Sequence, residues 1–256
     1  MHGPTAVPPT VVLVHGAFAD ASCWSGVIGH LRAAGLVVAA PVNPLRGLAH
    51  DAACLQALLD RAAGPVVLVG HGYGGAVITQ AAACDGVLAL CYVAAFGLDA
   101  GECVQDVLCR FAPTPMADAT VTAQGRGGLY IRAERFAQVY AGDLAPRTAR
   151  LLAAAQRPLD GRALTERSGR PGWACTPSWY AVATADRMLN PSAQRFMAQR
   201  MTATEHVLDA SHAVVLSRPE AVAAMIREAV AQGMARDGGH GPAPVGWPPA
   251  SAGGLP

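Results

Sequence analysis

Val66-Val67-Leu68-Val69-Gly70-His71-Gly72-Tyr73-Gly74-Gly75-Ala76 joins an apolar run to a glycine-rich turn and leads straight into a small-residue stretch. An uninterrupted apolar, β-branched run of this length predicts a strand buried on both faces. Residues 73–84 predict a helix whose small side chains let it lie close on a sheet. Between the two, the glycines form a sharp turn that would lift residue 72 above the sheet. A glycine-rich strand-to-helix turn is also the frame of a phosphate cradle. Here, however, the lysine and the serine or threonine of a Walker A loop are missing. Gly70-x-Gly72-x-Gly74 is not the dinucleotide spacing either. The stretch reads as a nucleophile elbow whose central residue is Gly72.

Outward from this turn the strand–turn–helix rhythm repeats. Residues 10–14 and 36–40 are further short apolar runs followed by turns and longer amphipathic or alanine-rich stretches, and 87–95 reads as a fourth strand. In residues 49–63, Ala53, Leu55, Leu58, Leu59 and Ala62 fall at helical spacing, and Gly64-Pro65 ends the helix. Uniformly apolar strands separated by helices predict a parallel sheet covered on both faces. From about residue 97 to 173 the pattern loosens: 125–128 breaks it, while 129–140 and 146–155 read as helical. It resumes with strand 178–184, helix 191–201, strand 206–208 and helix 219–231. The expected organisation is an α/β core over 1–97 and 174–232, with about six mostly parallel strands. A helical cap covers 98–173, and a Gly/Pro/Ala-rich disordered tail covers 233–256.

Composition narrows the function classes. The chain has 256 residues, 52% of them hydrophobic and 14% charged, with a formal net charge of +1. That length suits one domain, or a core with an inserted cap. So small a charge gives no electrostatic basis for nucleic acid or an acidic membrane as partner. All 19 basic residues are arginine, which beside so much alanine, glycine and proline reads as coding bias. The cysteines stand singly, without Cys-x-x-Cys or Cys/His ligand spacing, so no metal site is expected. No signal-peptide pattern opens the chain, and the longest apolar run, 86–97, is too short to span a bilayer. A reducing, cytoplasmic setting is the expectation.

Two further segments carry candidate chemistry. Val12-Leu13-Val14-His15-Gly16-Ala17-Phe18 ends a strand in His-Gly, with Trp24 at the start of the next helix. The His15 side chain reads as a buried histidine that satisfies loop carbonyls. Later, Ala183-Thr184-Ala185-Asp186 and Asp209-Ala210-Ser211-His212 each follow a strand. With the elbow ahead of them, they give the chain order nucleophile, acid, base. Asp186 would fix the tautomer of His212 and stabilise its protonated form, leaving the other ring nitrogen free as a base. Asp209 competes by proximity and ranks second, because it sits between strand and loop.

Together the three segments resemble the compact esterase branch of the α/β-hydrolase superfamily, which includes methyl-ester esterases and is similar to plant hydroxynitrile lyases. The resemblance covers about residues 10–232. It implies an oxyanion hole from the backbone amides of Ala17 and Tyr73, and a catalytic set at residue 72, Asp186 and His212. It also implies pocket contacts from Phe18, Trp24 and His71, no cofactor, and a small-molecule ester or related carbonyl substrate. Ala213 stands where the lyases typically carry lysine, which counts against cyanohydrin chemistry. The departure is at residue 72, where the family places serine and this chain has glycine. Ser22, Cys23 and Ser25 lie nearby in sequence, but at positions that suit capping and packing. Trp24, Tyr130, Phe136, Tyr140 and Trp179 are aromatic candidates for a pocket, with core packing favoured for most. Three readings stay open: an esterase-type hydrolase lacking its nucleophile; a non-covalent lyase, cyclase or decarboxylase with His212 as general base; and a small-molecule-binding protein on a hydrolase scaffold.

Overall fold

Valine-rich segments form the sheet that positions everything else. The computed structural model describes residues 8–62, 64–82, 85–122 and 128–237. Its strands are β1 (Thr10–Val14), β2 (Val37–Ala39), β3 (Val66–His71), β4 (Val87–Val93), β5 (Thr120–Thr122), β6 (Leu129–Ile131), β7 (Ser178–Ala183) and β8 (Thr204–Leu208). Six of them form one parallel sheet in the order β2-β1-β3-β4-β7-β8, while β5 and β6 pair antiparallel on their own.

Every residue of β3 is buried. Its side chains alternate, Val66 and Leu68 joining one hydrophobic cluster and Val67 and Val69 the other. Burial of each such side chain is worth about 1.5–3 kcal/mol, so a charge at Leu68 would break the middle of the sheet. Helices α1 (Ser25–Ala33) and, at the C-terminal end of the described chain, Pro219–Asp237 cover one face through Val27, Leu31, Val222 and Ile226. Helices α2 (Leu48–Leu59), α3 (Tyr73–Ala81) and Pro191–Arg200 cover the other through Leu55, Val77 and Met197.

The insertion between β4 and β7 contains α4 (Val104–Arg110), the β5–β6 pair, α5 (Ala133–Val139), α6 (Pro146–Ala155) and α7 (Arg162–Thr165). The expected helix over 129–140 is corrected here, since Leu129–Ile131 is a strand and the helix starts at Ala133. Gln156 explains the difference: its side-chain amide accepts from Ile131 N–H at 2.9 Å and donates to Ile131 C=O at 2.8 Å, imitating another strand. The cap is therefore mixed rather than purely helical. The break expected at 125–128 lies mostly outside the described residues.

After β7 come α8 (Pro191–Arg200), β8, α9 (Val214–Ser217) and α10 (Pro219–Asp237). The last helix runs on to Asp237, so 233–237 is not tail, and Gly233 packs against Leu88. Residues 238–256 lie outside the described residues. No described helix is long and apolar enough to cross a membrane. Among the described residues Cys23, Cys54, Cys91, Cys103 and Cys109 are free thiols, whereas Cys175 is disulfide-bonded.

Candidate active site

The turn after β3 is pinned by its backbone. Gly72 adopts φ 52° and ψ −121°, a conformation glycine takes freely and other residues hold only under strain. Its N–H donates to Val93 C=O at 3.2 Å, and its C=O accepts from Gly75 at 3.1 Å and Phe96 at 3.0 Å. At Gly74 a Cβ would run into the Val14 carbonyl, so only glycine lets α3 seat this close to β1.

Asp186 follows β7, and His212 lies on the loop between β8 and α9. Nδ1–H of His212 donates to Asp186 Oδ2 at 2.8 Å, and the aspartate side chain is wholly buried. The same carboxylate accepts from Met188 N–H at 2.7 Å, Leu189 N–H at 3.0 Å and Gln194 Nε2 at 2.8 Å. Gln194, from α8, also donates to Leu189 C=O at 2.9 Å and accepts from Ala183 N–H at 2.9 Å. Asp186 is thus held in one orientation from four sides. Asp209, the competing acid, is exposed.

With Nδ1 engaged, Nε2 of His212 is turned toward the elbow. A Cβ built on Gly72 would lie 3.0 Å from that nitrogen. Residues far apart in sequence therefore meet at one point. From the cap, Ala213 N–H donates to Tyr140 C=O at 2.9 Å, and the Tyr140 ring meets the His212 ring edge-on at 5.1 Å. Ser211 N–H donates to Asp143 at 3.0 Å, and the Ser211 hydroxyl donates to the same carboxylate. Burial acts to raise the Asp143 pKa, but hydrogen bonds from Ser211 and Ser217 outweigh it and hold the group below its usual range.

His71 lies behind this arrangement, fully buried, with Nε2–H donating to the His212 carbonyl at 2.8 Å and Nδ1 unpartnered. Burial, reinforced by the charge of His212, lowers its pKa to about 3, so the ring is neutral at ordinary pH. His15 is likewise structural: Nδ1–H donates to Gly16 C=O at 2.9 Å and Nε2 accepts from Asn43 N–H at 3.0 Å. Burial lowers its pKa as well.

Between the turn and the cap lies a narrow cavity of about 30 Å³. Ala17, Tyr73 and His212 line it together with apolar side chains that include Phe18, Leu108, Met116 and Leu164. Among the described residues, the N–H groups of Ala17 and Tyr73 donate to no protein acceptor. Phe18 has a positive φ of 61°, which bends the loop directly after Ala17. The Tyr73 hydroxyl is turned away and donates to Asp51 at 2.9 Å.

Two expected pocket contacts are corrected. Trp24 is fully buried, because the 3-10 turn Ala21–Trp24 carries it under the sheet into the cluster shared with α1 and α10. His71 touches the site only through the His212 carbonyl and does not line the cavity. Cys23 is buried, as the packing reading expects, but the cap of the Ala21–Trp24 turn is Asp20 rather than Ser22, its carboxylate accepting from Ser22 N–H at 2.8 Å. Phe136 and Tyr140 stack in the core of the cap at 4.9 Å. Gln194 and Asp143 were not visible in the sequence, where nothing separates them from ordinary helix and loop residues. Among the described residues no group of three or more His, Cys, Asp or Glu is arranged to hold a metal.

The sequence model of the Alpha/beta hydrolase family matches residues 11–225. No curated protein matches the chain. Among solved structures, a pyrethroid hydrolase from Sphingobium faniae JZ-2 is 26% identical with a TM-score of 0.74, covering 87% of this chain and 97% of its own. A methylesterase from Arabidopsis is 21% identical, with a TM-score of 0.71 and coverage of 87% and 99%. Polyneuridine aldehyde esterase is 17% identical, with a TM-score of 0.73 and coverage of 87% and 99%. The last two share the fold. With the parallel sheet, the glycine-rich turn after β3 and the family match over most of its length, this chain belongs to the alpha/beta hydrolase family.

Proposed function

We propose that this chain is an esterase-type hydrolase of small-molecule carboxylic esters whose nucleophile position is occupied by Gly72. One observation carries the reading: His212, oriented by Asp186, places Nε2 3.0 Å from where a side chain at residue 72 would begin. A hydroxyl there would give its proton to Nε2 while attacking the ester carbonyl. The carbonyl oxygen, turning anionic, would accept from the N–H groups of Ala17 and Tyr73. The protonated imidazole would then pass its proton to the leaving alcohol, and a water activated by the same nitrogen would release the acid. The pyrethroid hydrolase neighbour, at 26% identity, supports an ester as the substrate.

In the chain as it stands, glycine removes the attacking oxygen. It also relieves the strain of about 1–3 kcal/mol that a side chain would bear at this positive φ. The remaining site can hold the ester but has no oxygen placed to attack its carbonyl. The test is turnover of p-nitrophenyl butyrate by the native chain and by Gly72→Ser. We expect an acyl burst and steady turnover in the serine form only.

The intact Asp186–His212 pair also fits a second reading, in which His212 acts as general base in a non-covalent reaction. That reading requires the native chain itself to turn over a substrate, and requires His212→Ala to abolish it. A small-molecule-binding protein would instead keep its ligand affinity in that variant.

A further inference from the structure

Four of the six residues from Gly70 to Gly75 are glycine, so only His71 and Tyr73 carry side chains that can fasten this turn to its surroundings. His71 fastens it to the histidine loop through the His212 carbonyl. Tyr73, the first residue of α3, fastens it to α2. Its ring is 3% exposed in the cluster shared with Leu48, Leu55 and Val77, and its hydroxyl donates to Asp51 Oδ2 at 2.9 Å. Burial, reinforced by the charge of Asp51, pushes the Tyr73 hydroxyl pKa up, so the group remains a donor.

Asp51 lies in the first turn of α2 with its side chain wholly buried. Its carboxylate also accepts from Arg46 N–H, at 3.1 and 3.2 Å, and meets Nδ1 of the half-exposed His50 at 3.2 Å. Two of these three donors, the tyrosine hydroxyl and the backbone amide, are neutral. Desolvating a carboxylate onto such donors is costly, and an apolar pair of similar shape would fill the same space without that cost. What the polar pair adds is direction, because a hydrogen bond fixes where the hydroxyl sits.

The segment that carries this anchor is itself fastened. Asn43 N–H donates to His15 Nε2 at 3.0 Å, and the Asn43 side-chain amide donates to His15 C=O at 2.9 Å. From the cap, Asp160 N–H donates to Leu45 C=O at 2.9 Å, and Glu166 accepts from Ala49 N–H at 2.9 Å. The loop between β2 and α2 therefore cannot drift relative to the turn it holds.

We infer that Asp51 is a positioning residue for the oxyanion hole. By holding the Tyr73 hydroxyl it fixes the peptide plane whose N–H borders the cavity beside Ala17 and, among the described residues, donates to no protein acceptor. What that N–H does in a reaction rests on the esterase reading, whereas the anchoring does not.

Two measurements test the assignment, one with turnover and one without. On a Gly72→Ser background, Tyr73→Phe keeps the backbone donor and removes only its tether. It should lower kcat on p-nitrophenyl butyrate roughly tenfold with KM unchanged, less than the 10²–10³ that loss of a whole donor costs. The thiono analogue, whose sulfur accepts these hydrogen bonds poorly, should lose less, so the ester-to-thionoester rate ratio should narrow. Asp51→Asn should act in the same direction, and adding it to Tyr73→Phe should cost less than about twofold more, since both remove one tether. Without turnover, sodium acetate is titrated into the isotope-labelled chain that retains Gly72. The amide protons of Ala17 and Tyr73 should shift together with a single Kd, and Tyr73→Phe should weaken that Kd by roughly three- to tenfold.

A lowered Tm in Tyr73→Phe with unchanged kcat, rate ratio and acetate Kd would overturn the assignment and leave Asp51 a support of the fold alone. So would acetate that moves neither amide. Those results beside an active Gly72→Ser would remove this inference and leave the esterase reading standing. Weakened acetate binding in Tyr73→Phe beside an inactive Gly72→Ser would do the reverse.

Discussion

On one side of the site, Asp186 accepts hydrogen bonds from Met188, Leu189, Gln194 and His212, and Tyr140 and Asp143 hold the residues flanking His212. On the other, Leu108, Met116 and Leu164 meet the cavity with apolar surface alone. Directional bonds fix an orientation, whereas apolar contacts fix a volume and tolerate rearrangement. The first kind of wall suits a reacting nitrogen that must sit in one place. The second suits a ligand whose shape can vary. Substitutions on the two sides should therefore separate into losses of rate and losses of affinity.

The largest effect is expected at the histidine. On a Gly72→Ser background, His212→Ala should lower kcat by about 10⁴–10⁶, read as initial rates on p-nitrophenyl butyrate, with little change in KM. Gln194→Leu, on the same background, should cost about 10- to 100-fold in kcat through misplacement of the Asp186–His212 pair. A KM shift without a kcat change would show that Gln194 merely supports the fold. Across the cavity, Leu164→Ala should weaken ester binding by roughly tenfold while kcat stays near its starting value, in keeping with lost apolar contact. If kcat fell instead, the division between the two walls would fail.

The smallest effect concerns the buried histidine behind them. Burial and the neighbouring His212 lower the pKa of His71 to about 3 from the ordinary histidine value of 6.5. The unfolded chain therefore binds the extra proton between these values and the folded chain does not. Stability from this group is fully present above about 6.5 and is lost as pH falls toward 3, at no more than about 1.4 kcal/mol per pH unit. His71→Gln, which keeps an N–H donor for the His212 carbonyl, should flatten the fall of Tm between pH 6.5 and 4. An unchanged slope would remove His71 as a source of acid lability.

Much of this fold was legible because its strands are uniformly apolar and its turns carry glycine. The segment from Val66 to Ala76 could be read as strand, turn and helix from residue type alone, and the order of Asp186 and His212 after it narrowed the topology. The cap was less legible. Leu129-Tyr130-Ile131 becomes a strand through pairing with Thr120–Thr122 and through the distant amide of Gln156, neither of which leaves a local periodic signal. Trp24 was misplaced for a related reason: an aromatic residue beside a motif can face either side of the sheet, and the short 3-10 turn decides which. Gln194 and Asp143 act through contacts made only on folding, so no spacing announces them.

The central claim is that Gly72 occupies the nucleophile position of an otherwise assembled ester-hydrolysing site, and pre-steady-state hydrolysis of p-nitrophenyl butyrate by Gly72→Ser tests it most directly. A Cβ there must push the His212 ring aside by a few tenths of an ångström from a 3.0 Å approach, a shift the loop between β8 and α9 has to absorb. The account predicts a burst of p-nitrophenol stoichiometric with protein, followed by steady turnover that the native chain lacks. A correctly folded serine form with neither burst nor turnover would contradict it.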